Sequence, residues 1–307
     1  MNEPTASDAT SGEDTTLNQA AATNQATTTH TVRLTTPDGG VIEMGREHPL
    51  FLLAGPCVVE GRERTFTIAR ALVEICGEAG VPLIFKASYD KANRTSHTSF
   101  RSVGMEAALD ILGEVRDELR VPLVSDVHET GQVERVAQTL DIIQVPAFLC
   151  RQTDLLTACA ESGCVVNVKK GQFLAPEDMT NIVAKLQTAG GSRILLTERG
   201  TSFGYHNLVV DMRGLTIMAQ NGYPIVMDGT HSVQRPGGRG TTSGGDRTMV
   251  PHLVRAAAAI GIDGLFLECH DDPDNAFSDG PNNLDLRTLP GLLRDVLAIR
   301  RALGFQK

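Results

Sequence analysis

Residues 85–101, FKASYDKANRTSHTSFR, concentrate groups that bind anions. Lys86 and Lys91 offer point charges, Arg94 a bidentate fork, and Asn93, Thr95 and Ser96 uncharged donors, a set suited to phosphate. A solvated charged loop is the plainer reading of one such stretch. Lys169 and Arg199 weigh against it, provided the fold brings them near. A second group could hold a metal. Cys57 follows the apolar run FLLAGP, His231 sits in DGTHSVQ, Glu268 in LFLECH and Asp279 in FSDGP. A thiolate, an imidazole and two carboxylates at one point suit Zn, Fe(II), Mn, Co or another divalent ion. Separately each has an ordinary reading, Cys57 as a small buried residue and His231 as a hydrogen-bonded structural one. Only the fold can unite them.

Eight short apolar segments supply that fold: FLLAG (51–55), PLIFK (82–86), PLVSD (122–126), DIIQV (141–145), VVNVK (165–169), RILLT (193–197), PIVMD (224–228) and GLFLE (264–268). Between them run stretches of helical spacing, among them 65–80, 104–119, 176–190 and the Ala-rich 246–261, whose first turns Pro251 is placed to kink. Strands apolar on both faces, alternating with helices, imply a parallel sheet covered on both sides. Eight units over roughly 250 residues fit a closed (β/α)8 TIM barrel better than an open sheet. Ahead of them, TVRL, TTPDGG and VIEM read as a β-hairpin around an Asp-Gly turn, closing the bottom of the barrel. Residues 31–307 are then a single catalytic domain. Residues 1–30, rich in Thr, Ala, Ser, Asn and Gln, read as a disordered polar tail.

Catalytic groups in such barrels stand at the C-terminal ends of the strands. Here those ends give Cys57, Lys86, Asp126, Gln144, Lys169, Glu198 with Arg199, Asp228 with His231, and Glu268. Closure makes strands 7, 8 and 1 neighbours, which brings Cys57, His231, Glu268 and Asp279 together. The glycine-rich stretch RPGGRGTTSGGDR (235–247) reads as a lid that could carry Arg235, Arg239 or Arg247 over a bound anion.

The whole chain sets bounds on function. It has 307 residues, 41% hydrophobic and 21% charged, with a formal net charge of −9. That balance argues against nucleic acid and anionic membranes as partners, and no apolar run is long enough to span a bilayer. The six cysteines, at 57, 76, 150, 159, 164 and 269, form no C-x-x-C pair. They suit free thiols in a reducing compartment rather than a disulfide framework. The N-terminal stretch has neither the basic start and apolar core of a signal peptide nor the Arg-rich composition of a transit peptide. A cytoplasmic location is expected.

In this order, FKASYDKANRTS, DVHE, QVPAFLCRQTDL, NVKKGQF, ERGTSFGY, NLVVDMRG, DGTHSVQ and LFLECHDDP closely resemble the 3-deoxy-D-manno-octulosonate 8-phosphate synthase family, over about residues 50–300. The resemblance implies condensation of phosphoenolpyruvate with arabinose 5-phosphate and release of phosphate. It places phosphoenolpyruvate on Lys86, Ser88, Lys91, Lys169, Gln172 and Arg199, and the aldose phosphate on Asn93, Arg94 and Asp126. Thr95, where many members have Ser, keeps the hydroxyl. Lys169, His231 and Asp279 would serve the chemical step, with Lys169 or His231 supplying or accepting a proton. A homotetramer is implied, with Pro146, Phe148 and Arg151 reaching a neighbouring subunit's site. The family has branches with and without metal, and the metal-free branch carries Asn where this chain has Cys57. GPC, and Ser278 in FSDGP, therefore imply the metal-dependent branch and one divalent ion on Cys57, His231, Glu268 and Asp279. The competing reading is 3-deoxy-D-arabino-heptulosonate 7-phosphate synthase, which uses erythrose 4-phosphate. Its loop typically reads K-P-R-T-S-P where this chain has KANRTS.

Overall fold

Each of the eight apolar segments forms a strand. In the computed structural model, which describes residues 30–94, 96–238 and 244–305, they are β1 (Phe51–Gly55), β2 (Leu83–Lys86), β3 (Leu123–Asp126), β4 (Ile142–Val145), β5 (Val165–Lys169), β6 (Ile194–Glu198), β7 (Ile225–Asp228) and β8 (Gly264–His270). All neighbours pair in parallel, and two ladders close the ring. β8 runs beside β1 from Gly264 opposite Phe51 to Glu268 opposite Gly55, and beside β7 with Phe266 opposite Asp228. The architecture is a closed (β/α)8 barrel.

The helices follow from one-sided apolar spacing. They are α1 (Arg62–Ala79), α2 (Met105–Leu119), α3 (Val133–Ala137), α4 (Thr153–Glu161), α5 (Met179–Thr188), α6 (Arg213–Ala219), α7 (Val250–Ile260) and α8 (Leu289–Ala302). In α1, Phe66, Ala69, Leu72 and Cys76 recur three or four apart and are buried against the strands. The helix stops at Gly80, whose left-handed φ of 66° lets its amide reach the carbonyls of Cys76 and Gly77. Pro251 departs from expectation. It lies in the first turn of α7, where its missing amide costs no hydrogen bond, so it starts the helix rather than kinking it.

Two apolar layers hold the barrel. The outer one lies between strands and helices. The inner one joins Phe51, Leu53, Ile84, Val124, Ile142, Val165, Leu195, Val226 and Phe266, near the strand starts, to Val32, Leu34, Ile42 and Met44 of the hairpin. That hairpin pairs Val32–Thr35 with Val41–Met44 antiparallel and turns alternate side chains into the barrel. It stoppers the N-terminal end, as its alternation predicts. Each large side chain so buried contributes roughly 1.5–3 kcal/mol. The tail, apart from His30, lies outside the described residues, as do Thr95 and Arg239. Among the described residues no helix is long and apolar enough to cross a membrane.

Candidate active site

Strand alternation decides what lines the open end. Successive side chains of a strand face opposite ways, so residues two apart share a face. Ile84, Val124, Ile142, Val165, Leu195, Val226 and Phe266 face the barrel axis. Two positions on, towards the C-terminal end, stand Lys86, Asp126, Gln144, Asn167, Thr197, Asp228 and Glu268. The interior therefore changes from wholly apolar to wholly polar in one step. Gly55 ends β1 without a side chain because the carbonyl oxygen of Lys86 lies only 1.9 Å from where a Cβ would stand.

Above the polar layer opens a cavity of about 400 Å³. Its wall includes Lys86, Lys91, Asn93, Arg94, Asp126, Pro146, Phe148, Lys169, Gln172, Arg199, His231, Glu268 and Asp279. Ser88 is buried below the wall and donates to Asp126 at 3.2 Å. Arg151 lies outside it, exposed, with its carbonyl accepting from Lys185 Nζ at 2.9 Å. In the glycine-rich stretch 235–247, whose residues 239–243 lie outside the described residues, Gln234–Arg235 pairs with Gly244–Gly245 and Arg247 reaches Asp274 at 2.6 Å.

The cations are held by buried acids. Lys86 Nζ donates to Glu268 Oε1 at 2.5 Å and to the Cys57 carbonyl at 2.9 Å, and Lys91 lies 3.7 Å from the same carboxylate. Lys169 pairs with Asp228, and its Nζ sits 3.1 Å from the centroid of the Phe266 ring. Burial pulls the Lys169 ammonium down to about 8, although Asp228 opposes the shift. Burial would raise Asp126, but Lys91 and Lys86 bring it to about 2, so it is a carboxylate under all ordinary conditions.

Several buried polar atoms on the wall have no partner among the described residues: Arg199 Nη1, Gln172 Oε1, Arg94 Nη2 and Glu268 Oε2. Arg199 is otherwise anchored through Nη2 to Gln234 at 2.8 Å, and Arg94 through Nε to the Phe100 carbonyl at 2.9 Å. An orphaned buried polar group costs about 1–3 kcal/mol, more if charged. Together they mark places where a ligand or water can complete the bonding.

The metal-capable group gathers on the β7, β8 and β1 side. Donor atoms of Cys57, Glu268 and Asp279 all lie within 4.8 Å of one another, with Cys57 Sγ 3.3 Å from Asp279 Oδ2 and 2.7 Å from Ser278 Oγ. His231 stands beside them, Nε2 3.7 Å from Glu268 Oε1 and Nδ1 2.8 Å from Asp228 Oδ2. Burial first, and Glu268 next, push the Cys57 thiol far above its ordinary value. A thiol there keeps its proton unless a bound cation displaces it. The orphaned Glu268 oxygen and the mixed sulfur and oxygen donors fit a divalent metal ion.

Two residues that matter here were visible in the sequence only as strand ends. Asp228 holds Lys169 and His231 at once, and Gln144 donates to Asp126. Period two from Val226 and Ile142 was the signal that both point inward. Ser99, Gln234, Asp274 and Phe277 also line the cavity, from loops that carry no such period.

A (β/α)8 barrel whose C-terminal mouth combines lysines and arginines with a Cys, Glu and Asp cluster defines a barrel enzyme for anionic substrates. The chain belongs to the DAHP synthetase I family, whose model matches residues 20–298. Among its relatives, the 2-dehydro-3-deoxyphosphooctonate aldolase of Geobacter metallireducens is 57% identical over 260 residues, which is 85% of this chain and 96% of the relative. That of Syntrophotalea carbinolica is 57% identical over 258 residues, 84% and 93% of the two chains. That of Geobacter sulfurreducens is 56% identical over 260 residues, 85% and 96%. The resemblance carried by the motifs holds across the barrel.

Proposed function

We propose that the protein is a 2-dehydro-3-deoxyphosphooctonate aldolase working in the synthetic direction. It joins phosphoenolpyruvate to arabinose 5-phosphate with addition of water, giving 3-deoxy-D-manno-octulosonate 8-phosphate and phosphate. The observation that carries the reading is the set of orphaned atoms on Arg199, Gln172 and Arg94 beside Lys86, Lys91 and Lys169. Two separate anion positions are needed for a carboxylate-bearing enol phosphate and a sugar phosphate. Lys86, Lys91, Lys169, Gln172 and Arg199 suit the first, to which the family motif adds Ser88. Asn93, Arg94 and Asp126 suit the second, and the family motif adds the Thr95 hydroxyl, which lies outside the described residues. Fixed charges of this kind neutralise phosphate and carboxylate and hold the enol methylene near the aldehyde carbon. Cys57, His231, Glu268 and Asp279 would hold Zn, Fe(II), Mn or Co, which supplies a Lewis acid for the aldehyde or for water. Lys169 and His231, with Asp279 close by, are the groups placed to move protons. A homotetramer covering the half-exposed Phe148 at the rim, near Pro146 and Arg151, belongs to this reading. So does a cytoplasmic location, with which six free cysteines agree.

Phosphate release from phosphoenolpyruvate, assayed with arabinose 5-phosphate beside erythrose 4-phosphate, tests the proposal. Turnover should favour the pentose phosphate strongly, and equal rates would overturn it. Asn93→Ala should weaken use of arabinose 5-phosphate ten- to a hundredfold, since losing a hydrogen bond to the bound sugar costs about 1–3 kcal/mol where the ligand shuts out water.

The Lys169 ammonium also sets a pH limit. Its folded value lies below the ordinary lysine range, so the charge is present at pH 7 and lost as pH rises through about 8. The kcat/KM for phosphoenolpyruvate should be level up to that point and then fall about tenfold per unit. Lys169→Arg should move the descending limb upwards in whatever activity remains. A parent profile still level at pH 9.5 would show that burial does not lower the Lys169 ammonium in this way.

A further inference from the structure

The polar layer of the barrel contains a chain of side-chain hydrogen bonds that runs across four strands in one direction. Thr197 on β6 donates through its hydroxyl to Asn167 Oδ1 at 2.6 Å. Asn167 on β5 donates through Nδ2 to Gln144 Oε1 at 2.9 Å. Gln144 on β4 donates through Nε2 to Asp126 Oδ1 on β3. Ser88 supplies a second donor to the other oxygen of Asp126.

Thr197 and Asn167 are fully buried, and Gln144 nearly so. Such a run is costly by default, because each buried amide or hydroxyl gives up water for only one or two protein partners. One layer below, the same strands place Ile142, Val165 and Leu195, which would extend the core without that cost. The polar run therefore needs a reason.

Its direction supplies one. An amide can face either way, donor or acceptor foremost. Asp126 is a carboxylate and can only accept, so Gln144 must present its NH2 to it. The Gln144 oxygen then needs a donor, which fixes the Asn167 amide. The Asn167 oxygen in turn needs a donor, which a hydroxyl at 197 provides and an aliphatic side chain would not. Reversing any link turns a carbonyl oxygen onto the Asp126 carboxylate.

We propose that Asn167 and Thr197 are positioning residues that hold Asp126 in place for the aldose phosphate by fixing the orientation of the Gln144 amide. Neither residue lines the cavity, and neither acts except through the chain. The inference rests on the proposed placement of the aldose at Asp126.

The experiment compares KM for arabinose 5-phosphate, KM for phosphoenolpyruvate, kcat and melting temperature in the full-length enzyme and three variants. Thr197→Val removes the terminal donor and keeps the shape. It should raise KM for arabinose 5-phosphate about three- to tenfold and leave KM for phosphoenolpyruvate within twofold. Thr197→Ser keeps the hydroxyl and should restore parent values. Asn167→Asp makes two carboxylates compete for one amide and should raise KM for the aldose at least tenfold. If Asn167→Asp does not fold, the Val and Ser pair still decides. Both KM values unmoved in a folded Thr197→Val variant, or both rising together without rescue by Ser, would overturn the proposal. A parent enzyme that does not turn over arabinose 5-phosphate would instead overturn the functional reading beneath it.

Discussion

Exhaustive chelation should abolish turnover, and Mn, Fe(II), Co or Zn should restore it to differing degrees. The expectation comes from Cys57, Glu268 and Asp279 meeting within 4.8 Å, with one Glu268 oxygen orphaned and His231 alongside. A buried thiol held so far from ionisation by burial and Glu268 has little use as an acid or base, whereas a cation would stabilise its anion. Binding should weaken as pH falls, because protons compete for the sulfur and the imidazole. Cys57→Ala should lose metal and activity together, by at least about a hundredfold in rate. It should still fold, since Cys57 belongs to neither apolar layer. Cys57→Asn should weaken metal binding while keeping some metal-free turnover. Elemental analysis of the purified protein, then assay after chelation, decides between the readings. Full activity in demonstrably metal-free protein would return Cys57 to the role of a small residue at a strand end.

Asp228→Asn should be almost as damaging, lowering kcat/KM by about ten- to a hundredfold, and it should also lower stability, since removing one member of a buried charge pair costs about 3–5 kcal/mol of folding free energy. Burial alone would raise the Asp228 carboxyl, yet His231 and Lys169 hold it well below the carboxylate range. One oxygen serves Lys169 and the His231 ring, and the other accepts the His231 amide and the Thr230 hydroxyl. Asn keeps the shape and removes the charge. Lys169, already lowered to about 8 by burial, would then be neutral at pH 7, and His231 would lose the carboxylate that orients it. Steady-state kinetics and metal content, measured together, should both change. An Asp228→Asn enzyme with the kcat/KM of the parent would show that the pair is structural.

The barrel was legible because its strands are short apolar runs with one spacing, and a buried parallel strand needs nothing else in its sequence. The same period reveals the polar layer: Val226 facing inward implies that Asp228 does too, and Ile142 implies Gln144. The motif at 85–94 and the Cys57 side of the site were readable from residue types once the ring closed. What the sequence did not disclose depends on side-chain direction. Nothing in the residue types says which amide end of Asn167 faces Gln144, or that the Thr197 hydroxyl sets it. Phe277 and Asp274 come from an irregular loop whose path is set by contacts such as Phe277 stacking edge-on against Phe100 at 5.0 Å. Pro251 misled because a proline at a helix start and one within a helix look alike until the boundary is known.

The hairpin gives the barrel two ends that answer to different selective pressures. Val32, Leu34, Ile42 and Met44 meet the strand starts, while the reactive groups stand at the strand finishes, with an apolar layer between them. Sequence drift at the stoppered end is filtered by stability, and drift at the mouth by chemistry. A lineage could therefore alter its thermal tolerance through the hairpin while its substrate preference stayed fixed, or change substrate through the loops on an unaltered base. For an engineer the same separation makes residues 32–44 the place to add robustness with little interference in turnover.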